Sequence, residues 1–358
     1  MIALITLAVA VAADPATVET LMANSHWKRA RAAAEAAYKE NPNDARANCW
    51  MARVRQEFGN LDEAVKYAEA AVKLDSKSSA NHRALGDAYG EKAQKASLFK
   101  QIGMAPKIKP EFEAALALDP RDPENILNMI EYYMEAPGIV GGDKKKAHQM
   151  AMDQVKSDPS NGYRSLVQIA FSEKQNDKVE SLYQQAVDAN PKYFDAHIEF
   201  AGFLLNGANP NFAKGELHAR AANELNPDRI SGYRLLAYAL AAQKRFDEAA
   251  KVVARAELAI PDDLSPCVSV ARAMLRVNAE LPKAESYLKK YLAETKEPEP
   301  NAPPLAAAHY CGLLPLESIS KASPCLGICI MGTLIGLPSS ETLLRCSRYG
   351  SKPSSPGL

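Results

Sequence analysis

The chain has no surplus of charge of either sign. Lys+Arg and Asp+Glu are both 43 over 358 residues, for a formal net charge of +0. General nucleic-acid binding leaves a basic footprint, so that class is excluded apart from a local patch. The six cysteines form no CxxC pair and no Cys/His cluster at zinc spacing. The six histidines, His26, His82, His148, His197, His218 and His309, make neither HxxxH nor HExxH. No serine sits in a nucleophile-elbow context, and the carboxylates are scattered without a pair that suits acid–base work. No apolar run is long enough to span a bilayer. No enzyme, cofactor or metal site is therefore expected.

One stretch imitates a phosphate-binding loop: EAPGIVGGDKKKAHQM, Glu135 to Met150. A P-loop needs GxxxxGK[ST] after a strand. Counting from Gly138, Asp143 stands where the second glycine belongs, and no strand precedes it. Asp143 is a good helix N-cap, and its carboxylate would occupy the terminus that a phosphate needs. The stretch reads as a lengthened turn between two helices, in which Gly141 and Gly142 permit backbone angles that other residues resist.

What is present is a period. ARAAAEAAYKENPND, LDEAVKYAEAAVKLDSK, FEAALALDPRD, ESLYQQAVDANPKY, LHARAANELNPDR and FDEAAKVVARAELAIPDD share one shape, with small residues at helical spacing and usually a closing proline. Pro42, Pro120, Pro159, Pro191, Pro227 and Pro261 recur about every 32 to 39 residues, with one double-length gap where Ser76 replaces proline. A helix of this length cannot bury its apolar stripe alone, so it pairs with a neighbour. Ala30 and Ala37, Ala64 and Ala71, and Ala249 and Ala256 mark the close approaches. Proline, which cannot continue a helix, is expected to end the second helix of each pair. Stacked pairs then bury a continuous core.

The pattern resembles the tetratricopeptide-repeat family. In HRALGDAY, His82 to Tyr89, the pair Leu85-Gly86 and then Tyr89 fall on the family's first-helix positions, with His82 in place of the usual Trp. In FDEAAKVVARAELAIP, Ala249, Ala256 and Pro261 fall on the second-helix positions. The resemblance covers about four-fifths of the chain. It implies an all-α solenoid of helix-turn-helix units in a right-handed superhelix, about eight repeats over residues 14–300. They are placed near 11–44, 45–78, 79–122, 123–159, 160–193, 194–229, 230–263 and 264–300. His82 and His197, both at the family's large-aromatic position, read as packing residues. Cys49 and Cys267, on first helices, read as buried or half-buried free thiols.

Two repeats are overlong. In the third, about ten extra residues within EKAQKASLFKQIGMAPKIKPEF are expected to separate its helices. They carry Lys92, Lys95, Lys100, Lys107 and Lys109, read as solvated lysines on an extended helix pair. The alternative is a docking surface for an acidic partner or membrane headgroups. The fourth repeat holds the glycine-rich turn.

The family implies a peptide or protein segment bound in a groove lined by first helices. Its groove positions, carried over, are Arg53, Arg83, Asp87, Asn128, Glu131, Arg164, Gln168, Glu199, Arg234 and Tyr238, a mixture suited to an extended, polar segment. Some relatives clamp a C-terminal carboxylate there. Arg83 and Asn128 fall on clamp-like positions, but Asp87 would repel a carboxylate and Arg164-Ser165 misses the final basic position, so that clamp is not expected.

The ends differ from the middle. Residues 1–13, MIALITLAVAVAA, are an uncharged apolar run with small residues at Ala10-Val11-Ala12, read as a signal peptide whose basic n-region is missing. Either the true start lies upstream or the run opens a first helix. Residues 301–309 read as the start of a further repeat. From 310 to 358 the period is lost and Asp disappears, which reads as an out-of-frame segment or, alternatively, a short apolar or disulfide-linked appendage. A solenoid cut inside a repeat exposes an apolar face, so self-association through that end is expected. The expected function is a non-enzymatic scaffold or adaptor for a protein partner, exported to a bacterial periplasm, without nucleic-acid or membrane contact. The alternatives are a chaperone or accessory subunit for exported proteins, a small-molecule or glycan-binding solenoid, and a cytoplasmic location.

Overall fold

The chain turns at the end of most second helices through the side chain of an Asn or Asp. Asn41 Oδ1 accepts from Asn43 N at 3.1 Å, Asp75 Oδ1 from Lys77 N at 3.0 Å, and Asp119 Oδ1 from Arg121 N at 3.2 Å. Asn190 and Asn226 do the same for Lys192 and Asp228. Such Asx turns divert the backbone from the helix, and the proline that usually follows forbids its return. Ser76 can replace proline because Asp75 makes the turn without it. Pro159 departs from the expectation. Asp158 closes one helix and caps the next, accepting from Asn161 N, so Pro159 opens the following helix instead, where its fixed φ suits the first turn.

The computed structural model describes residues 15–207, 209–295 and 300. Residues 1–13, 301–309 and 310–358, with the signal peptide, further repeat and altered tail expected there, lie outside the described residues. Among the described residues there are sixteen α-helices and no strand. They form eight pairs: α1 (Pro15–Ala23) with α2 (Trp27–Glu40), α3 (Ala45–Glu57) with α4 (Leu61–Leu74), α5 (Ser79–Gln94) with α6 (Leu98–Leu118), and α7 (Pro123–Glu135) with α8 (Lys144–Ser157). There follow α9 (Pro159–Ser172) with α10 (Asn176–Ala189), α11 (Phe194–Asn206) with α12 (Phe212–Leu225), α13 (Ile230–Ala242) with α14 (Phe246–Ala259), and α15 (Ser265–Arg276) with α16 (Leu281–Glu294). The chain is an all-α helix-pair solenoid. First helices also pack on the first helix of the next pair, as in α3 on α5, α7 on α9 and α13 on α15.

The small residues do what their spacing predicts. Ala30, Ala64, Ala71, Ala249 and Ala256 are fully buried, while Ala37 is only partly so. Gly86 allows α6 onto α5, since a Cβ there would lie 2.4 Å from the Phe112 ring. Gly162 allows α9 onto α8, its Cβ position being 2.3 Å from Val155 N. Large side chains fill the remaining space: Met129, Ile130 and Ile169 are all but sealed from solvent, and truncating any of them to Ala costs about 2–5 kcal/mol.

Two repeated devices complete the connections. A residue in the left-handed region ends several first helices: Gly59 (φ 76°), Lys174 (φ 59°) and Lys244 (φ 61°). Early in three first helices an Asn returns to the carbonyls left over by the preceding turn. Asn81 Nδ2 donates to Ala71 O (3.1 Å) and Asp75 O (2.9 Å), and Asn125 Nδ2 to Ala115 O (3.1 Å) and Asp119 O (3.0 Å). Asn48 serves Pro42 O and Asp44 O, both at 2.8 Å. Buried carbonyls need such partners.

The overlong third pair is resolved in an unexpected way. The extra residues do not separate the helices; they lengthen the second one, and α6 runs 21 residues through Pro106 and Pro110. Each interior proline forfeits one backbone bond, and burial of Ala105, Ile108 and Phe112 offsets the loss. The described lysines of the insert already have partners. Lys92 reaches Asp62 (2.6 Å), Lys95 reaches Glu91 (2.7 Å), Lys109 lies 3.6 Å from Glu113, and Lys107 sits over the Tyr89 ring.

Of the described residues, 15–203 and 221–229 form one compact unit and 204–220 and 230–295 another. The first is built on the cores around Trp50, Leu85 and Ile130. The second is built on α13 to α16, where Leu236, Leu240, Val270 and Met274 are buried.

Candidate interaction groove

The glycine-rich stretch is a joint with a fixed shape. A 3-10 turn covers Gly138–Val140, Gly141 takes φ 94°, and Asp143 caps α8 by accepting from Lys146 N at 3.1 Å. Gly142 has no room for a Cβ, whose position lies 1.7 Å from Ala136 O. Tyr132 Oη donates to Val140 O at 2.6 Å and fastens the turn to α7.

In the first unit, the residues read as groove positions fall into three groups. Asp87 and Asn128 are joined, Asn128 Nδ2 donating to Asp87 Oδ1 at 2.6 Å across α5 and α7. Arg53 and Arg83 act on Asp87 electrostatically, yet burial outweighs them and pushes its carboxyl up to about 7. Arg83 is itself held by Asp122, with Asn125 Oδ1 at 3.3 Å. Arg164 and Glu199 form the second group. The guanidinium meets the carboxylate through two nitrogens, Nε at 3.0 Å, and Nη1 also donates to Asn161 and to Tyr193 Oη. This fork spends its donors within the protein. Glu131 and Gln168 form the third group. Both are exposed and make no hydrogen bond or ion pair among the described residues. Partial withdrawal from water, and then Glu135 and Glu124 on the same stripe of α7, push Glu131 up to about 7.

The last two positions lie in the second unit. Burial lowers the affinity of Arg234 for its proton, opposed by nearby Asp263. Tyr238, read as the groove aromatic, is buried, with Arg276 Nη1 3.2 Å from its hydroxyl and Arg272 over its ring.

His82 and His197, read as packing residues, both bond within the fold. His82 bridges Glu111 (2.6 Å) and Ser76 O (3.0 Å), and buried His197 lies 3.0 Å from Pro191 O. The thiols of Cys49 and Cys267 are buried, which pushes them up to about 11 and about 12. Among the described residues no group of His, Cys, Asp or Glu is placed to hold a metal ion, and no helix is long and apolar enough to cross a membrane.

What sequence reasoning missed is a cavity of about 540 Å³ bordered by α5, α6, α7 and the 3-10 turn. Asp87, Asn128 and Glu131 line it, and the lengthened α6 supplies its apolar side with Ile102, Ala105, Ile108 and Phe112. The apolar residues interleaved with the lysines of the insert were the available signal.

Fold and site define an all-α repeat protein built on helix pairs. Residues 21–88 match a tetratricopeptide-repeat family model, and the same helix pair recurs through to Glu294. Over residues 21–88 the chain is therefore similar to the tetratricopeptide-repeat family. Comparison with curated proteins gives no match. Among solved structures, TTC0263, a thermophilic tetratricopeptide-repeat protein of Thermus thermophilus, is 22% identical with a TM-score of 0.46, covering 53% of this chain and 97% of its own. Yeast Tom70 is 16% identical with a TM-score of 0.48, over 91% of this chain and 63% of Tom70. Cut9, from the Cut9–Hcn1 hetero-tetramer of the APC/C, is 13% identical with a TM-score of 0.38, over 78% of this chain and 52% of its own.

Proposed function

We propose that this chain is a non-enzymatic scaffold that holds an extended segment of a partner protein along its first helices. The observation that carries this reading is the α5–α7 face. There Asp87 and Asn128 are fixed against each other while Glu131 beside them is exposed and unpaired. Polar groups held in place on rigid helices, next to a concave apolar wall, are what segment recognition requires. Arg83 and Arg164 support that face through internal pairs and are not contacts for the partner.

The test is capture from the native host with the full chain as bait, beside a bait carrying Glu131→Lys and Gln168→Glu. The reading requires a stoichiometric partner retained by the first bait and lost from the second. Equal retention by both would remove it. A small-molecule solenoid is the second reading, favoured by the cavity, and it requires a ligand-induced rise in Tm without any protein partner. Export to a periplasm belongs to the proposal and rests on the apolar run at residues 1–13. Finding the host protein with that run intact would count against it.

A further inference from the structure

The 540 Å³ cavity lies within the range of ligand pockets, roughly 300–1,000 Å³. Its chemistry is one-sided. Four carboxyl groups line it, from Asp87, Glu91, Glu131 and Glu135, and among the described residues no lysine, arginine or histidine does. Nearby cations do not neutralise the far end. Lys95 pairs with Glu91, and Arg53 and Arg83 bear on Asp87. Glu131 and Glu135 have no hydrogen-bond or ion-pair partner among the described residues, and the charge of Glu135 adds to the proton affinity of Glu131. Two like charges left together beside an apolar wall favour a cation that carries its own apolar stem.

We propose that this cavity receives a lysine or arginine side chain from an extended partner segment, with its charged head at Glu131 and Glu135 and its stem along Ile102, Ala105 and Ile108. The inference rests on the groove reading and names the partner's chemistry. A peptide fits better than a free amine because four amides, Gln56, Gln94, Gln101 and Asn128, also line the cavity. Such groups both donate to and accept from an extended backbone. The charge is the reverse of what the lysine-rich insert implied: its described lysines are spent on the protein, and its apolar residues face an acidic cavity.

Binding should gain strength with pH. Asp87, faced by Arg53, Arg83 and Asn128, and Glu131, faced by Glu135 and Glu124, each hold a proton up to about pH 7. A cation prefers them ionised, so raising the pH from 6 to 8 favours its entry.

The test uses the full chain and the capped peptide Gly-Leu-Lys-Leu-Gly, with norleucine and glutamate versions at the central position, by calorimetry at pH 8. The lysine peptide is expected to bind about tenfold more tightly than the norleucine peptide, the worth of one charge-assisted bond. It should weaken at pH 6, and the preference should vanish in the Glu131→Gln/Glu135→Gln double variant, which removes two exposed charges and leaves the core intact. Equal binding of lysine and norleucine peptides, preference for glutamate, no binding of any peptide, or a lysine preference that survives the double variant would each overturn the proposal. So would n-pentylamine binding as tightly as the peptide, since the occupant would then be a small amine. If a partner is still captured on the first helices, only this inference fails and the scaffold reading stands.

Discussion

Asn128 Nδ2 lies 2.6 Å from Asp87 Oδ1 and ties the first helix of the third pair to that of the fourth. The bond fixes one polar edge of the cavity and holds a carboxyl that burial keeps protonated to about pH 7. Stability and the proposed recognition therefore share a residue.

That sharing has a pH signature. A carboxyl whose folded-state pKa is raised binds more protons in the folded chain than in the unfolded one between the two values. Its stabilising contribution is complete below the ordinary value near 3.8 and is lost as pH rises through about 7. At pH 8, Asp87→Asn is expected to raise Tm by a few degrees, and at pH 4 the gain should disappear. Thermal melts of both proteins across that window decide it, and a gain that is independent of pH would contradict the assignment.

Gly142 makes a sharper prediction about the joint. Its Cβ position coincides with Ala136 O at 1.7 Å, whereas that of Gly138 meets nothing within 4 Å. Gly142→Ala should cost about 1–3 kcal/mol, the usual range for forced overpacking, and Gly138→Ala should cost much less. Urea denaturation of the two variants makes the comparison.

Arg164 should behave as a structural residue. It has 13% of its side chain exposed and is spent on Glu199, Asn161 and Tyr193. Removing one partner of such a pair costs about 3 kcal/mol. Arg164→Ala is expected to show that loss in denaturation while binding of the lysine peptide is unchanged. A binding defect without a stability defect would place Arg164 among the partner contacts.

Asn125 tests the device that joins pairs. Its amide serves Ala115 O, Asp119 O and Ser79 Oγ. Asn125→Ala should destabilise by about 1–3 kcal/mol because buried carbonyls lose their donor. An exposed control such as Gln168→Ala should be neutral.

The period was legible because two strong local signals coincide: alanines where helices touch and proline where the helix must stop. The Asn and Asp turns were quieter, since the residue before each proline, rather than the proline, makes the bond. Lys174 and Lys244 take a left-handed angle that their side chains do nothing to advertise. The course of α6 was misread because Pro106 and Pro110 are ordinarily helix breakers, and only burial of their neighbours explains the unbroken helix. At the groove, register placed the residues on first helices but could not show which were already engaged. Arg164 finds Glu199 35 positions away, and Tyr238 turns into the core. Glu131 differs from them only in what the fold fails to set beside it.

The most direct measurement is site-specific photocrosslinking in the native host, with a benzophenone side chain at Glu131 or Gln168 on first helices and at Met152, on the solvent side of α8, as the reference. All three positions are exposed, so incorporation should leave the fold intact. A scaffold that holds its partner on the first helices predicts the same adduct at Glu131 and Gln168 and none at Met152. An adduct at Met152 alone, or none at any position, would contradict it.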